Sequence, residues 1–507
     1  MNTDLRKLIS GSDVRGRALG EDAPLTPHVA TCLGMVFARF MADKLQKPIT
    51  EISIGLGRDS RVTGPVLLRA AAEGISRTGA SVQDYGMCTT PAMFMAIITP
   101  GFKPDGSIMI TASHHPSDRN GLKFVTAEGG LTHEEISGLI DAAESITPED
   151  FPISGAIVEK PFLPVYQEQL ATRIRKGLDT NSEKPLQGLH VVVDAGNGAG
   201  GFYADLMESL GAKIEGSQFL EPDGMFPNHR PNPEDPTAME SVSAAVTRAG
   251  ADLGVIFDAD CDRAAVVDAD GREINRNRLI ALMSAILLED QPGQTIVTDS
   301  VTSSGLKKFI NDWGGEHYRF KRGYRNVIDE AVQLNKEGIS CPLAIETSGH
   351  AALKENHFLD DGMYLVTVLI VKAMKLKQEG KTLGSLIANL QEPVESTEIR
   401  LAITADDFHE AGEKAIKRVL DHANAAENWH IAPDNREGVR ISFDLDDGQD
   451  NGWFLLRLSV HDPVLPLNCE SDVPGGVRKM LQALLNVLEG CEGIDLSALR
   501  DAAEKQA

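Results

Sequence analysis

The chain reads as an α/β protein: three related α/β domains with mixed sheets plus a smaller C-terminal α+β domain. Three observations carry that reading. The length is too great for one hydrophobic core, short β-type runs alternate with helical runs three times over, and in the tail strands follow one another directly. For 507 residues the scaling of core growth suggests roughly three to five domains.

In the first domain, EISIGLG (51–57) and GSIMITAS (106–113) are apolar strand runs and GPVLLRAAAEGISRTGA (64–80) is a helix. A polar stretch at 176–187 breaks the pattern and is a candidate linker. The second unit has strands LHVVVDAG (189–196) and ADLGVIFDAD (251–260), with helical YADLMESLGA and SVSAAVTRAG between them. The third has QTIVTDS (294–300), helical SSGLKKFINDWG, a strand near 317–320 and PLAIETSGH (342–350). The tail strings together GVRISFDL (438–445), NGWFLLRLSV (451–460) and PVLPLNCES (463–471), then the amphipathic VRKMLQALLNVLEG, as an antiparallel sheet with a helix would. The domain spans are therefore 1–175, 188–293, 294–400 and 401–507.

Asp plus Glu outnumber Lys plus Arg by 74 to 49, a formal charge of −25. A field of that sign repels nucleic acid and anionic membranes, so neither is expected as a partner, whereas a small anion answers to the local field of its own site. The six cysteines are scattered without a CxxC, which suits a reduced compartment and offers no sulfur metal site. The start MNTDLRKLISGSDVRG has no apolar h-region and no uncharged apolar run approaches a membrane span. A cytoplasmic protein is expected, or a plastid or other organellar one if a transit peptide has been removed. Monomer and homodimer are both compatible with the sequence.

Four polar constellations sit at strand ends. Asp258, Asp260 and Asp262 follow the apolar run GVIF, with Arg263 directly after. In a loop, three carboxylates at alternate positions can converge on one hard cation, and oxygen-only ligands suit magnesium (Mg²⁺); an acidic surface turn has the same composition. Thr111-Ala112-Ser113-His114-His115-Pro116, with Lys123 close behind, is a hydroxyl at a strand tip with His and Lys near it. That fits a phosphoryl carrier, or a turn that caps the next element. Glu346-Thr347-Ser348-Gly349-His350 suits recognition of sugar hydroxyls or a cap. Arg457, Ser459 and His461 alternate in or just after a strand, so they share a face that serves as a phosphate clamp or as a solvated sheet surface. Arg15, Arg58 and the Lys321-Arg322 pair are further cations against the acidic background.

Taken in order, from Asp13-Val14-Arg15-Gly16 to Arg457-Leu458-Ser459, these motifs resemble those of the α-D-phosphohexomutase superfamily, in particular its phosphoglucomutase and phosphomannomutase members. The resemblance spans nearly the whole chain, one motif per domain, and implies four domains around a central cleft. It implies Ser113 as the phosphoryl carrier flanked by His114, and Mg²⁺ held by Asp258, Asp260, Asp262 and an oxygen of phosphorylated Ser113. It further implies Arg263, Arg15 and Lys123 around that centre, with Lys321 and His350 assisting substrate handling and proton transfer. Glu346 and Ser348 match the sugar-recognition loop; Arg457 and Ser459 match the distal phosphate site, to which His461 adds a donor. The implied reaction moves a phosphoryl group between O1 and O6 of a hexose phosphate through glucose 1,6-bisphosphate, which also serves as activator. Amino-sugar phosphate mutases and a catalytically silent phosphosugar binder are the alternatives. The chain departs from the family pattern at His115, usually Asn, at Ile345, usually Gly, and at Val460 and His461, which replace Asn or Gly and Thr.

Overall fold

The computed structural model describes residues 4–446, 448–459 and 462–504. It divides into two compact units, one of Met1–Leu279 with Ser348–Leu386 and one of Ile280–Thr347 with Ile387–Ala507. Among the described residues no helix is long and apolar enough to cross a membrane.

The first unit carries two sheets. An eight-stranded mixed sheet runs in the order Ile9–Ser10, Asp13–Arg17, Arg119–Thr126, Gly106–Ile110, Ser53–Arg58, Ser81–Met87, Ile157–Glu159, with Gly129–Gly130 alongside Arg119–Thr126. Its central strands are parallel, and the reversal comes where Gly106–Ile110 pairs antiparallel with Arg119–Thr126. Helices Pro27–Leu45 and Gly64–Arg77 cover one face; they pack so closely that a side chain on Gly34 or Gly74 would strike the partner's backbone. Leu33, Phe37, Leu67, Ile75, Ile108 and Phe124 are buried in the core beneath them, an interior whose area removed from water is the main stabilising term.

The second sheet pairs Val191–Asp194 parallel with Leu253–Phe257, which turns back antiparallel on Ala264–Asp268. Every residue of these three strands is buried, as their apolar, Val-rich content requires. Helix Pro236–Ala249 packs on this sheet through Met239, Val242 and Val246. The helix Gly362–Gln378, far along the chain, belongs to the same unit: Tyr166 donates to Asp361 at 2.7 Å and Arg173 to Tyr364 at 2.7 Å. Part of the 176–187 stretch is ordered differently from the expectation of a linker, because helix Leu163–Gly177 runs into it and Leu186 is fully buried.

In the second unit, Thr295–Thr298 lies between Glu316–Arg319 and Leu343–Ile345, all parallel. The tail forms the five-stranded antiparallel sheet Glu395–Ala402, Val464–Ser471, Gly452–Leu456, Val439–Phe443, Trp429–Ile431. Helices Phe408–Ala423 and Gly476–Leu488 close its apolar face over Trp429, Phe454, Leu467 and Leu484. The strand holding the tail's phosphate motif ends at Leu456, so Arg457 and Ser459 lie beyond it. Their N–H groups still donate to Pro466 and Val464 at 3.1 and 3.0 Å, which preserves the two-residue alternation.

Candidate functional site

The acidic motif is a six-residue hairpin loop. Phe257 pairs with Ala264 at the end of the antiparallel ladder, so residues 258–263 must turn between them. Cys261 takes the left-handed conformation, φ 65°, that closes the turn, and Asp258, Asp260 and Asp262 are all buried. Ligand oxygens of the three lie within 4.8 Å of one another. Carboxylates so crowded repel unless cations offset them, and the fold supplies these. Asp258 Oδ2 accepts from Arg263 Nε at 3.1 Å and from Nη2 at 2.9 Å. Lys123 Nζ lies 3.0 Å from Asp260 Oδ2 and also donates to Asp262 Oδ2. Arg15 donates to Asp13 at 2.7 Å. Burial works against the charge of Lys123 and Arg15, but the aspartates around them outweigh it and hold both cations above their ordinary values.

The carboxylates, by contrast, divide. Burial, followed by neighbouring Asp262, pushes Asp258 up; burial pushes Asp262 up as well, but Lys123, His350 and Arg263 overcome it and hold that carboxyl below the usual range. Asp260 Oδ1 and Asp262 Oδ1 remain buried without a hydrogen-bond partner. Two orphaned carboxylate oxygens in one loop are costly in a protein interior, and they fit a divalent hard cation taking oxygen ligands.

Ser113 stands beside this loop. Its strand ends at Ile110, three residues earlier than the sequence suggests, and Ser113 itself takes φ 50°, uncommon for a residue with a side chain. Its Oγ donates to Asp258 Oδ2 at 2.8 Å and accepts from Arg263 Nη2 at 3.1 Å, with His114 Nδ1 at 3.3 Å. Burial, helped by Arg263 and His115, holds the His114 imidazole far below its ordinary value, so it is neutral. His350 pairs with Asp360 at 2.7 Å and lies 4.0 Å from Asp262. Burial opposes its charge, but Asp360 and Asp262 prevail and raise it to about 9. Ser113, His114, Arg15, Lys123, the three aspartates, Arg263 and His350 are thus assembled within one unit.

Of the remaining predicted residues, Ser348 belongs to the same unit, and Glu346, Lys321, Arg457 and Ser459 belong to the second. Ser348, buried, opens the Ser348–Leu386 segment of the first unit. In the second unit Glu346 is buried and accepts the Gly323 N–H at 2.6 Å, and Lys321 is exposed after the strand Glu316–Arg319. Arg457 lies 4.0 Å from Glu437, and the Ser459 hydroxyl accepts the Asp462 N–H at 3.3 Å. His461 and Val460 lie outside the described residues. Arg58 turns to the carbonyl of Asp59 at 2.9 Å.

Several residues that organise the centre were not legible as candidates. Arg61 is wholly buried and donates to the carbonyls of Ser113, His115, Pro116 and Arg119 at 2.5, 2.7, 2.7 and 2.8 Å. It is backed by Asp59 at 3.2 Å, which also accepts from the Arg61 N–H at 2.9 Å and from Thr111 at 2.7 Å, and Phe226 stacks on the guanidinium at 5.1 Å. Its only sequence signal is an Asp and an Arg two residues apart at a strand end. Asn232, which receives Arg263 Nη1 at 3.2 Å, and Asp360 lie in polar stretches with no spacing to mark them.

The comparisons with known proteins agree with this geometry. Residues 6–149, 164–271 and 275–394 match, in order, the family descriptions "Phosphoglucomutase/phosphomannomutase, alpha/beta/alpha domain" I, II and III. A "Phosphomannomutase/phosphoglucomutase" of Pseudomonas putida is 32% identical over 434 residues, covering 85% of this chain and 86% of the relative. A "Phosphoglucomutase" of Neisseria gonorrhoeae is 29% identical, covering 96% and 97%. The crystal structure of a phosphoglucomutase/phosphomannomutase family protein from Burkholderia thailandensis superposes with a TM-score of 0.78 at 27% identity, covering 96% of this chain and 99% of that one. With a buried triad of aspartates beside a strained serine and three consecutive family domains along its length, this chain belongs to the phosphoglucomutase/phosphomannomutase family of the α-D-phosphohexomutase superfamily.

Proposed function

We propose that the protein interconverts the 1-phosphate and 6-phosphate of glucose or mannose by way of a phosphoserine at Ser113 and a 1,6-bisphosphate intermediate. The observation that supports this most directly is the Ser113 hydroxyl, 2.8 Å from Asp258 and 3.1 Å from Arg263. A pure binder has no use for a nucleophile held between a carboxylate and a guanidinium. Asp258, Asp260 and Asp262 would hold Mg²⁺ together with an oxygen of the phosphorylated serine, and the ion would offset charge on the transferring group.

In the first half-reaction the bond from phosphorus to Ser113 Oγ breaks as one to the free sugar hydroxyl forms, with His350 and Lys321 as carriers of the displaced proton. The second half-reaction returns the other phosphoryl group to Ser113. Arg263 and Lys123 keep positive charge at the reacting centre, so the protein supplies position and field rather than covalent novelty. Glu346 and Ser348 are the residues proposed for the sugar hydroxyls, and Arg457, Ser459 and His461 for the phosphate that is not being transferred. A coupled assay with Mg²⁺ and a trace of glucose 1,6-bisphosphate tests the proposal. Turnover of glucose 1-phosphate or mannose 1-phosphate that disappears in Ser113→Ala is expected; no turnover of either sugar by folded, primed protein would overturn it.

A further inference from the structure

Glu437 precedes the strand Val439–Phe443 in the tail, and three kinds of donor converge on its carboxylate. Oε2 accepts from the Ser300 hydroxyl in a short bond and from the Arg322 backbone N–H at 3.2 Å; Oε1 lies 4.0 Å from Arg457 Nη1. A hydroxyl, a backbone N–H and a guanidinium are the set that a phosphate monoester recruits.

The fit to Arg457 is poor. At 4.0 Å the pair is a loose ion contact, whereas in the same unit Arg319 meets Asp434 at 2.6 Å. Arg457 Nε is buried with no partner at all. A buried guanidinium left this far short of its hydrogen-bonding capacity is a site awaiting a better anion. The Glu437 side chain is 14% exposed, so it is not sealed in place.

We propose that Glu437 is a displaceable occupant of the phosphate clamp, holding its donors when no substrate phosphate is there and withdrawing when one arrives. The proposal rests on the assignment of Arg457 to phosphate binding made above. Two anions cannot share the same donors, because the like charges repel and one of them loses its bonds. Glu437 therefore lowers affinity for every phosphate by the work of its own displacement. In exchange, the donors are never left bare when a bisphosphate lets go in order to turn round. The buried Asp299 carboxyl, which accepts from Thr347 at 2.6 Å, is raised chiefly by burial, with Glu437 among its lesser causes.

The test is calorimetric titration of the Mg²⁺-supplied full chain with glucose 1-phosphate and, separately, inorganic phosphate. Glu437→Gln, which keeps the shape and the Ser300 bond, is expected to bind glucose 1-phosphate about threefold to tenfold more tightly, and to lower kcat together with KM because release slows. Glu437→Asp, which retracts the charge from Arg457, is expected to move affinity the same way by less, and serves if the Gln variant does not fold. Equal or weaker binding by these variants, with binding lost in Arg457→Ala, would make Glu437 a fixed support and overturn the proposal while leaving the clamp assignment intact. Binding unchanged in Arg457→Ala would remove the clamp assignment itself, and the proposal with it.

Discussion

The hairpin at Asp258–Arg263 and the turn around Glu437 and Arg457 both set carboxylates against cations, yet they are built to opposite ends. In the hairpin the side chains are buried and closely paired: Arg263 lies 2.9 Å from Asp258 and Lys123 lies 3.0 Å from Asp260. Around Glu437 the arginine pairs at 4.0 Å and both side chains keep partial contact with solvent. Close buried pairs hold geometry but are expensive to break, as would suit atoms held in line for the proposed transfer. A loose pair that keeps some contact with solvent costs less to open, as would suit a group that lets a ligand in and out. Under the proposed function, pre-organisation is concentrated where bonds would change and withheld where a ligand would exchange.

The sharpest way to break that comparison is to truncate one hydroxyl on each side. Ser113→Ala is expected to lower kcat by about 10⁴-fold or more, with no phosphate on the protein by intact mass, because the nucleophile is gone. Ser459→Ala removes one polar contact and is expected to cost about tenfold or less, mostly in KM. Comparable losses in the two variants would erase the distinction. Lys123→Met removes the nearest cation from both Asp260 and Asp262, so a loss of about 3–5 kcal/mol in chelator is expected. Thermal unfolding should show Mg²⁺ recovering part of it, and no recovery would remove the cation from the loop.

Arg61→Lys probes how the serine itself is held. One ammonium cannot reach four carbonyls set for a planar fork, and a drop of about 100-fold in kcat with KM little changed is expected. The smallest effect concerns Glu470, which accepts from Trp453 Nε1 at 2.9 Å. Burial raises its pKa above that of an ordinary glutamate, against the pull of Arg440 and the Trp453 bond. Between the unfolded and the raised folded value the native state binds the extra proton, so this group's contribution to stability falls as pH rises through that window. Glu470→Gln is therefore expected to match the parent near pH 5 and to exceed it by about 1 kcal/mol above pH 8, as read from unfolding midpoints.

Much of this was legible in the residues. Ser113 and the three aspartates announce themselves because chemistry crowds several reactive types into a few consecutive positions at the end of an apolar run. The strands that precede them were also plain, since Gly106–Ile110 and Leu253–Phe257 are fully buried and largely apolar runs. Arg61, Asp360 and Glu437 were not. Each acts on a partner at least ten positions away, and a lone charged residue in a loop looks the same whether it faces water or a distant carbonyl. The left-handed turn at Ser113 was equally silent, for nothing in Thr111-Ala112-Ser113 forces the strand to end at Ile110; the tether from Arg61 to the loop's carbonyls does.

The tail of the chain bears on how the protein can be taken apart. Arg440 lies 3.5 Å over the Trp453 ring and donates to the carbonyls of Ser300 and Thr302 at 2.9 and 3.1 Å, while Val301 joins Trp453 and Leu455 in one apolar cluster. Anyone expressing residues 401–507 as a separate fragment would strip that arginine of both acceptors and bare an indole. Such a fragment is a poor prospect for solubility screens or labelled spectroscopy, and a cut ahead of residue 280 leaves this seam whole.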